Sequence, residues 1–324
     1  MERDLVPRAG YRLYAIRVRG LNRGVSLGLA VALGSLPLAA LDALRLLRSF
    51  RPHCVVGVGA YASGPVVAEA ALMGIPTVAI EMDSHMGWTN RILSRLVDRV
   101  CLSFPDGGHQ NRRFIYTGRP VRPALLLATK EQAVTRFGLD PHRPVVLVVG
   151  GSLGARSLNR AALEAFAVRP TSYHVIHVTG RRDFYWVSKQ VGDSTANPLY
   201  QFHAFLEDYP LALAAANVVV SRAGGSVAEI LVRGVPAILV PYPLAAGDHQ
   251  TKNAKTLEQA GAAVVVPDQE INGRRLVDAV ERLLDPETNE NMRQAALRLA
   301  RPDSTERICD IIEQLIAGRS RKGK

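Results

Sequence analysis

Cysteine is scarce: Cys54, Cys101 and Cys309 are odd in number and far apart, with no C-x-x-C pair. That spacing excludes a cysteine zinc site or redox dithiol and suits three reduced thiols in a cytoplasm. Low-complexity sequence is also lacking, and at 48% hydrophobic and 21% charged residues the chain can bury a core rather than remain disordered. Met1 to Ala9 (MERDLVPRA) is polar with both signs of charge, unlike a secretory leader, so export is not expected. One uncharged run, Gly24 to Leu41, is long enough to be tested as a membrane span. Gly28, Gly34 and Pro37 interrupt it and Asp42 follows directly, so an amphipathic or buried segment is expected, with Arg flanks suited to an anionic leaflet.

What is present is an excess of Arg. The net charge of +11 points to nucleic acid, phosphorylated ligands or an acidic membrane face, and charge alone does not choose among them. Arg12, Arg17, Arg19, Arg23, Arg45, Arg48, Arg51, Arg91, Arg95 and Arg99 are spread over the first part of the chain, as a solvated face would be. No nucleic-acid-binding motif accompanies them, so nucleic acid is not expected as a partner.

A length of 324 residues exceeds what one hydrophobic core usually supports, so two domains are expected. Short apolar runs alternate with helical patterns: Cys54 to Val58, Pro76 to Ile80, Val97 to Leu102, Pro144 to Val149, His174 to Val178, Asn217 to Val220, Pro236 to Val240 and Ala262 to Val266. That rhythm predicts parallel strands with crossover helices, an α/β fold of two Rossmann-like domains. The two prolines of Arg119 to Leu126 (RPVRPALL) break the series, which places the linker at Pro120 to Leu127. The halves also repeat one another: Val67 to Ile80 (VAEAALMGIPTVAI) aligns without a gap to Val227 to Val240 (VAEILVRGVPAILV). Each copy reads as a helix with a Glu near its start, a Gly cap and a Pro leading into a buried strand. Glycine-containing turns precede both copies, at Gly57 to Gly64 and Ser221 to Ser226, and should face a shared cleft at the carboxyl ends of the strands.

A third turn, Val149 to Ala155 (VGGSLGA), joins a strand to a helix starting near Arg156. Gly150, Gly151 and Ser152 there form either an anion site of backbone N–H groups plus a hydroxyl, or a plain tight turn with a capping Ser. No Lys follows these glycines and their spacing is not G-x-G-x-x-G, which argues against nucleotide hydrolysis and hydride transfer. Arg122 on the linker is placed to close on a diphosphate bidentately, or else to pair with a carboxylate. Glu229 stands beyond Gly224 and Gly225, where a carboxylate can accept two ribose hydroxyls. Its place in a first helical turn equally favours an acid on dipole grounds.

These segments, with Thr89 to Arg91, Gly118 to Arg122 (GRPVR), Phe205 to Asp208 (FLED), Asp248 to Ala254 (DHQTKNA) and Pro302 to Arg307 (PDSTER), occur together and in order. From Met1 to about Gln314 the chain resembles the MurG family of peptidoglycan-building UDP-N-acetylglucosamine transferases. The resemblance implies a GT-B fold with an acceptor-side domain over 1–122, completed by a C-terminal helix at about 303–317, and a nucleotide-sugar domain over 123–302. It implies that Gly151, Ser152 and Arg122 hold the donor diphosphate, that Leu206 meets uracil through its backbone, and that Glu229 binds ribose beside Gly225 and Ser226. Gln250, with His249 next to it, would contact the sugar hydroxyls. UDP-GlcNAc, an undecaprenyl-linked acceptor and an anionic membrane surface are the implied partners. The implied location is the cytoplasmic face of the cell membrane, with no metal and no cofactor.

Three departures from the family pattern are visible. The family's N-terminal strand and Gly-rich loop ending in a His are not found in these residues, and that strand would be central in the first sheet. Glu81 to Gly87 (EMDSHMG) replaces a Glu-Gln-Asn opening, so Asp83 stands where an Asn is usual and requires a donor as partner when ionised. Glu81 and Asp83 become the candidate bases in the chain, with His85 either a satisfied loop residue or an extra acid-base group. Gly224 to Glu229 (GGSVAE) is one residue shorter than the usual loop.

Overall fold

The computed structural model describes residues 2–17, 36–105, 112–151, 153–192 and 196–320. Ser152 and most of the Gly24 to Leu41 run lie outside the described residues. In the first half, helices α1 (Glu2–Arg8), α2 (Leu36–Phe50), α3 (Ala60–Leu72) and α4 (Trp88–Leu93) accompany strands β1 (Val55–Gly57), β2 (Thr77–Glu81), β3 (Arg99–Leu102) and β4 (Phe114–Tyr116). The strands form one parallel sheet in the order β1-β2-β3-β4, with β1 at an edge.

The second half runs α5 (Pro123–Leu127), α6 (Lys130–Phe137), β5 (Val145–Val149), α7 (Arg156–Ala162, continued by a π turn at Leu163–Ala167), β6 (His174–Val178), α8 (Phe184–Val191) and β7 (Tyr200–His203). It continues through α9 (Tyr209–Ala215), β8 (Val218–Ser221), α10 (Ser226–Arg233), β9 (Ala237–Leu239), α11 (His249–Gln259), β10 (Ala263–Val265), α12 (Gly273–Leu284), α13 (Pro286–Leu299) and α14 (Ser304–Ser320). The six parallel strands take the order β10-β9-β8-β5-β6-β7, the doubly wound order of a dinucleotide-binding sheet. Five consecutive β-branched or Leu residues (VVLVV) make β5 buried along its whole length, as a central parallel strand covered on both faces requires.

All eight strands expected from the sequence are present, and two more, β4 and β7, flank them. The repeat needs one correction. In the second copy Glu229 does lie in the first turn of α10, whereas α3 already begins at Ala60, so Glu69 sits more than two turns inside its helix. A helix-dipole preference therefore does not explain the acid in both copies, because that effect fades within the first turn.

Helix α14 returns to the first sheet. Ile308 and Ile311 pack with Val78, Ile80 and Cys101, and Arg319 reaches Asp98 at 3.3 Å. Burial pushes the Cys101 thiol up to about 11, which leaves it an unreactive core residue.

Candidate functional site

The crossovers of the second sheet change direction between β5 and β8, which pair directly, so the turns after these strands open a crevice at their carboxyl ends. The turn after β5 needs its glycines. Gly151 has φ +87°, and a Cβ on Gly154 (φ +85°) would lie 2.2 Å from the Thr179 carbonyl oxygen. Helix α7 then starts at Arg156 as expected.

Two cavities meet at this crevice, sharing Gly151 and Ser226. One, of about 590 Å³, is basic, with Arg156, Arg182 and Arg222 in its wall beside Tyr242, Gln250 and Asp268. The other, of about 460 Å³, is a slot with apolar walls from Val149, Val178, Phe205, Leu206 and Tyr209 and charges from Arg122, Glu207 and Glu229. Both fall within the range of small-molecule sites, roughly 300–1,000 Å³. An apolar slot with a carboxylate, joined to a basic chamber across two turns rich in glycine, suits a ligand with a flat heterocycle at one end and an anionic, hydroxylated group at the other.

The structure brings most of the expected residues together here. Arg122 Nη2 stands 3.8 Å from Glu229 Oε1, so the guanidinium faces the slot and meets a carboxylate there. Burial raises the Glu229 pKa, while Arg122 and then Arg119 pull it down. Gln250 lines the basic chamber, and its Oε1 accepts the Tyr242 N–H at 2.9 Å. His249 is half-buried, its Nδ1 engages the Ala246 carbonyl at 2.8 Å, and it is not among the described residues lining either cavity.

Glu81 and Asp83 lie across the cleft, on the loop after β2. The Glu81 carboxylate is taken up by three donors: Asp83 N–H at 3.1 Å, Gly87 N–H at 3.0 Å and Asn90 Nδ2 at 3.0 Å. These three contacts organise the loop. Asp83 has the donor partner its charge requires, accepting from Asn253 Nδ2 at 3.0 Å. His85 is exposed on the same loop. Among the described residues no group of three or more His, Cys, Asp or Glu is arranged to hold a metal ion.

Several site residues escaped the sequence reading. Arg222 is nearly buried and binds Asp268 at 2.5 Å, the Ser157 hydroxyl at 3.0 Å and the Val240 carbonyl at 3.0 Å. Arg119 packs against Gly225, where a Cβ would lie 2.8 Å from its Nη2. Arg222 stood inside a turn and Asn253 inside a segment already singled out, Tyr209 directly follows the Phe205 to Asp208 segment, and Asp268 enters through tertiary contact alone.

The glycosyltransferase family 28 C-terminal domain matches residues 145–315 and the family 28 N-terminal domain matches residues 1–102. The UDP-N-acetylglucosamine--N-acetylmuramyl-(pentapeptide) pyrophosphoryl-undecaprenol N-acetylglucosamine transferase of Desulforudis audaxviator is 40% identical, covering 97% of this chain and 87% of the relative. The enzyme of that name from Halothermothrix orenii is 34% identical over 98% of this chain and 89% of its own length. Among solved structures, MurG of Acinetobacter baumannii superposes with a TM-score of 0.76 at 29% identity, over 97% of this chain and 88% of that one. The calicheamicin glycosyltransferase CalG4 shares the fold, with a TM-score of 0.63 at 18% identity over 89% and 81% of the two chains. The fold is GT-B, and the chain belongs to glycosyltransferase family 28 and, within it, to the MurG family.

Proposed function

We propose that this chain transfers N-acetylglucosamine from UDP-GlcNAc to lipid I, the undecaprenyl-diphosphate-linked MurNAc-pentapeptide, with inversion, forming lipid II. The observation that carries the reading is the pair of cavities at the β5/β8 switch point, in a chain whose relatives bear that activity in their names. In this reading uracil enters the apolar slot beside Phe205 and Leu206, and Glu229 accepts the ribose hydroxyls. The diphosphate lies over the Gly151 and Ser226 turns, with Ser152, Arg122 and Arg222 as donors, and the sugar projects toward Gln250. An acceptor hydroxyl then attacks the anomeric carbon, its proton passes to a base and UDP leaves. The positive groups at the turns stabilise the charge that builds on the departing diphosphate.

The acceptor would approach from the domain formed by 1–122 and the returning helix, with the 123–302 domain holding the nucleotide. The position of Asp83 in the cleft favours it over Glu81 as the acidic group near the reacting hydroxyl. Attachment to the cytoplasmic face of the membrane is supported by exposed Trp88 and Ile92, one turn apart on α4, with exposed Arg91 and Arg95 beside them. Among the described residues no helix is long and apolar enough to cross a membrane.

Calorimetry with UDP-GlcNAc, with UDP-glucose as competitor, tests the donor site, and transfer assays on lipid I and on diacylglycerol test the acceptor. Selective UDP-GlcNAc binding, lost in Glu229→Ala, with product formed from lipid I alone is the expected result. Absence of binding by the folded chain would sink the reading, and product from diacylglycerol would redirect it to another lipid acceptor.

A further inference from the structure

Tyr209 is the first residue of α9 and follows the Phe205 to Asp208 segment that walls the slot. Its ring belongs to the main core cluster of the second domain. Its hydroxyl oxygen is shielded from solvent and has no hydrogen-bond partner among the described residues, although phenol hydroxyls at buried sites normally find one. A phenylalanine would fill the same space without this desolvated, unpaired group, so packing does not account for the hydroxyl. The residue lines the slot together with Arg122 and Glu229, and these two are the charged groups that act on it.

Glu229 is not locked in place. Its contact to Arg122 is a loose 3.8 Å, and that Arg side chain is 57% exposed. We propose that Tyr209 is a positioning residue for Glu229: when a ribose occupies the slot, the phenol donates to the carboxylate and turns it from Arg122 toward the sugar hydroxyls. The inference rests on the donor-site reading above. Its chemistry is complementary, because an ionised carboxylate offers about four lone-pair sites over its two oxygens, and two ribose hydroxyls leave room for one more donor. A hydrogen bond to the charged form also keeps the carboxylate ionised where burial favours the acid. The groups facing Glu229 are Arg119 just before the linker, Arg122 on it, and Glu207 and Tyr209 across the slot.

The test uses the full chain and UDP as the probe, with affinities measured by calorimetry between pH 5.5 and 8 and thermal unfolding of the ligand-free proteins. Tyr209→Phe should weaken UDP binding about tenfold, the size of one charge-assisted hydrogen bond, without lowering the ligand-free unfolding midpoint. The pH below which UDP binding falls off should move upward in the variant. The loss should vanish in a Glu229→Ala background and with 2′,3′-dideoxy-UDP, since the first removes the acceptor of the Tyr209 hydroxyl and the second the sugar hydroxyls toward which it is turned. Equal affinity of variant and wild type would overturn the inference, as would a tenfold loss that persists with the dideoxy nucleotide or comes with a lowered midpoint. Failure of the wild type itself to bind UDP would instead overturn the donor-site reading on which the inference stands.

Discussion

Asn253 ties the two domains together through Asp83, donating its side-chain amide to that carboxylate at 3.0 Å while also donating to the Ala223 carbonyl at 3.2 Å. Its own side-chain oxygen accepts the Ser84 N–H at 2.7 Å, so both polar atoms of a nearly fully buried amide are used. Asn253→Ala would leave Asp83 and the Ala223 carbonyl without that donor, at a cost of about 1–3 kcal/mol, and should lower transferase kcat/KM about tenfold by loosening the cleft. Asp83→Asn keeps an acceptor oxygen opposite the amide and should unfold at nearly the wild-type denaturant concentration. If Asp83 also takes the acceptor proton, kcat alone should fall in that variant, by about 10²-fold, and unchanged kcat would remove it as a base.

Arg222 makes a comparable tie within the nucleotide-side domain. Its guanidinium joins the turn after β8 to Asp268, Ser157 and the end of β9, with 11% of the side chain exposed. Replacing it with Ala strands Asp268 as a largely buried charge, which is expected to cost about 3 kcal/mol in urea unfolding. Arg222→Lys keeps the charge but not the fork that reaches several acceptors at once. It should retain most of the stability and lose about tenfold in UDP-GlcNAc affinity, and a variant that binds UDP-GlcNAc as the wild type does would remove Arg222 from the diphosphate site.

The sequence pattern revealed the central strands because burial on both faces leaves continuous runs such as Val145 to Val149. Strands β4 and β7 escaped although β1 and β10, outer strands as well, were found, because the latter keep continuous apolar runs (CVVGV and AAVVV). The residues of β4 and β7 are largely half-buried and mix aromatic with polar types (FIY and YQFH). Of the site, the parts carried by local turns were legible: the glycines after β5, and Glu229 and Gln250 on the segments after β8 and β9. Asp268 was not, since it reaches the crevice from a separate loop through contacts that no local spacing records, and Tyr209, next to the Phe205 to Asp208 segment, reads as an ordinary core aromatic. The partners of Glu81 were hidden for the same reason. A carboxylate at a strand end looks available until its three N–H donors are seen.

Glu229 should cost stability in the empty protein. Burial raises its folded-state pKa above the ordinary carboxylate value, so its favourable contribution is complete below that ordinary value and is lost as pH rises through the folded pKa. Glu229→Gln is therefore expected to unfold at a higher temperature than wild type at pH 7, with the gap closing as pH falls toward 4.5. The variant should bind UDP at least tenfold more weakly. A variant less stable than wild type at pH 7 would show that the contact to Arg122 outweighs desolvation.

Membrane attachment through α4 is tested apart from catalysis. Trp88 and Ile92 are 69% and 60% exposed, and burying two such side chains at a lipid interface supplies several kcal/mol at about 25 cal/mol per Å². The double change Trp88→Ser, Ile92→Ser should reduce co-sedimentation with anionic vesicles about tenfold or more and leave UDP affinity unchanged. Added salt should weaken the wild type's binding as the arginines are screened.

His177 sets a different pH limit from within the core of the nucleotide-side domain. Its ring is fully buried, with Nδ1 2.7 Å from the Tyr200 hydroxyl and Nε2 3.0 Å from Asn159 Oδ1. Asn159 spends its amide N–H groups on the Thr179 carbonyl and Asp183, so its oxygen must accept, Nε2 must carry the proton and Nδ1 must accept from Tyr200. Both ring nitrogens are thus satisfied in the neutral form, and desolvation drives the pKa down to about 3. A lowered histidine pKa means that the unfolded chain binds the extra proton, so stability is intact above about 6.5 and falls as the solution is acidified toward the folded value. The slope approaches about 1.4 kcal/mol per pH unit, or about 3 kcal/mol lost by pH 4. His174 and His203, also lowered by burial, add to the same limb. His177→Gln keeps a donor for Asn159 and does not titrate, so it should be less stable than wild type at pH 7 and have a flatter profile between pH 6 and 4. Urea unfolding at half-unit pH steps measures both effects, and parallel profiles for the two proteins would show that His177 takes up no proton on unfolding.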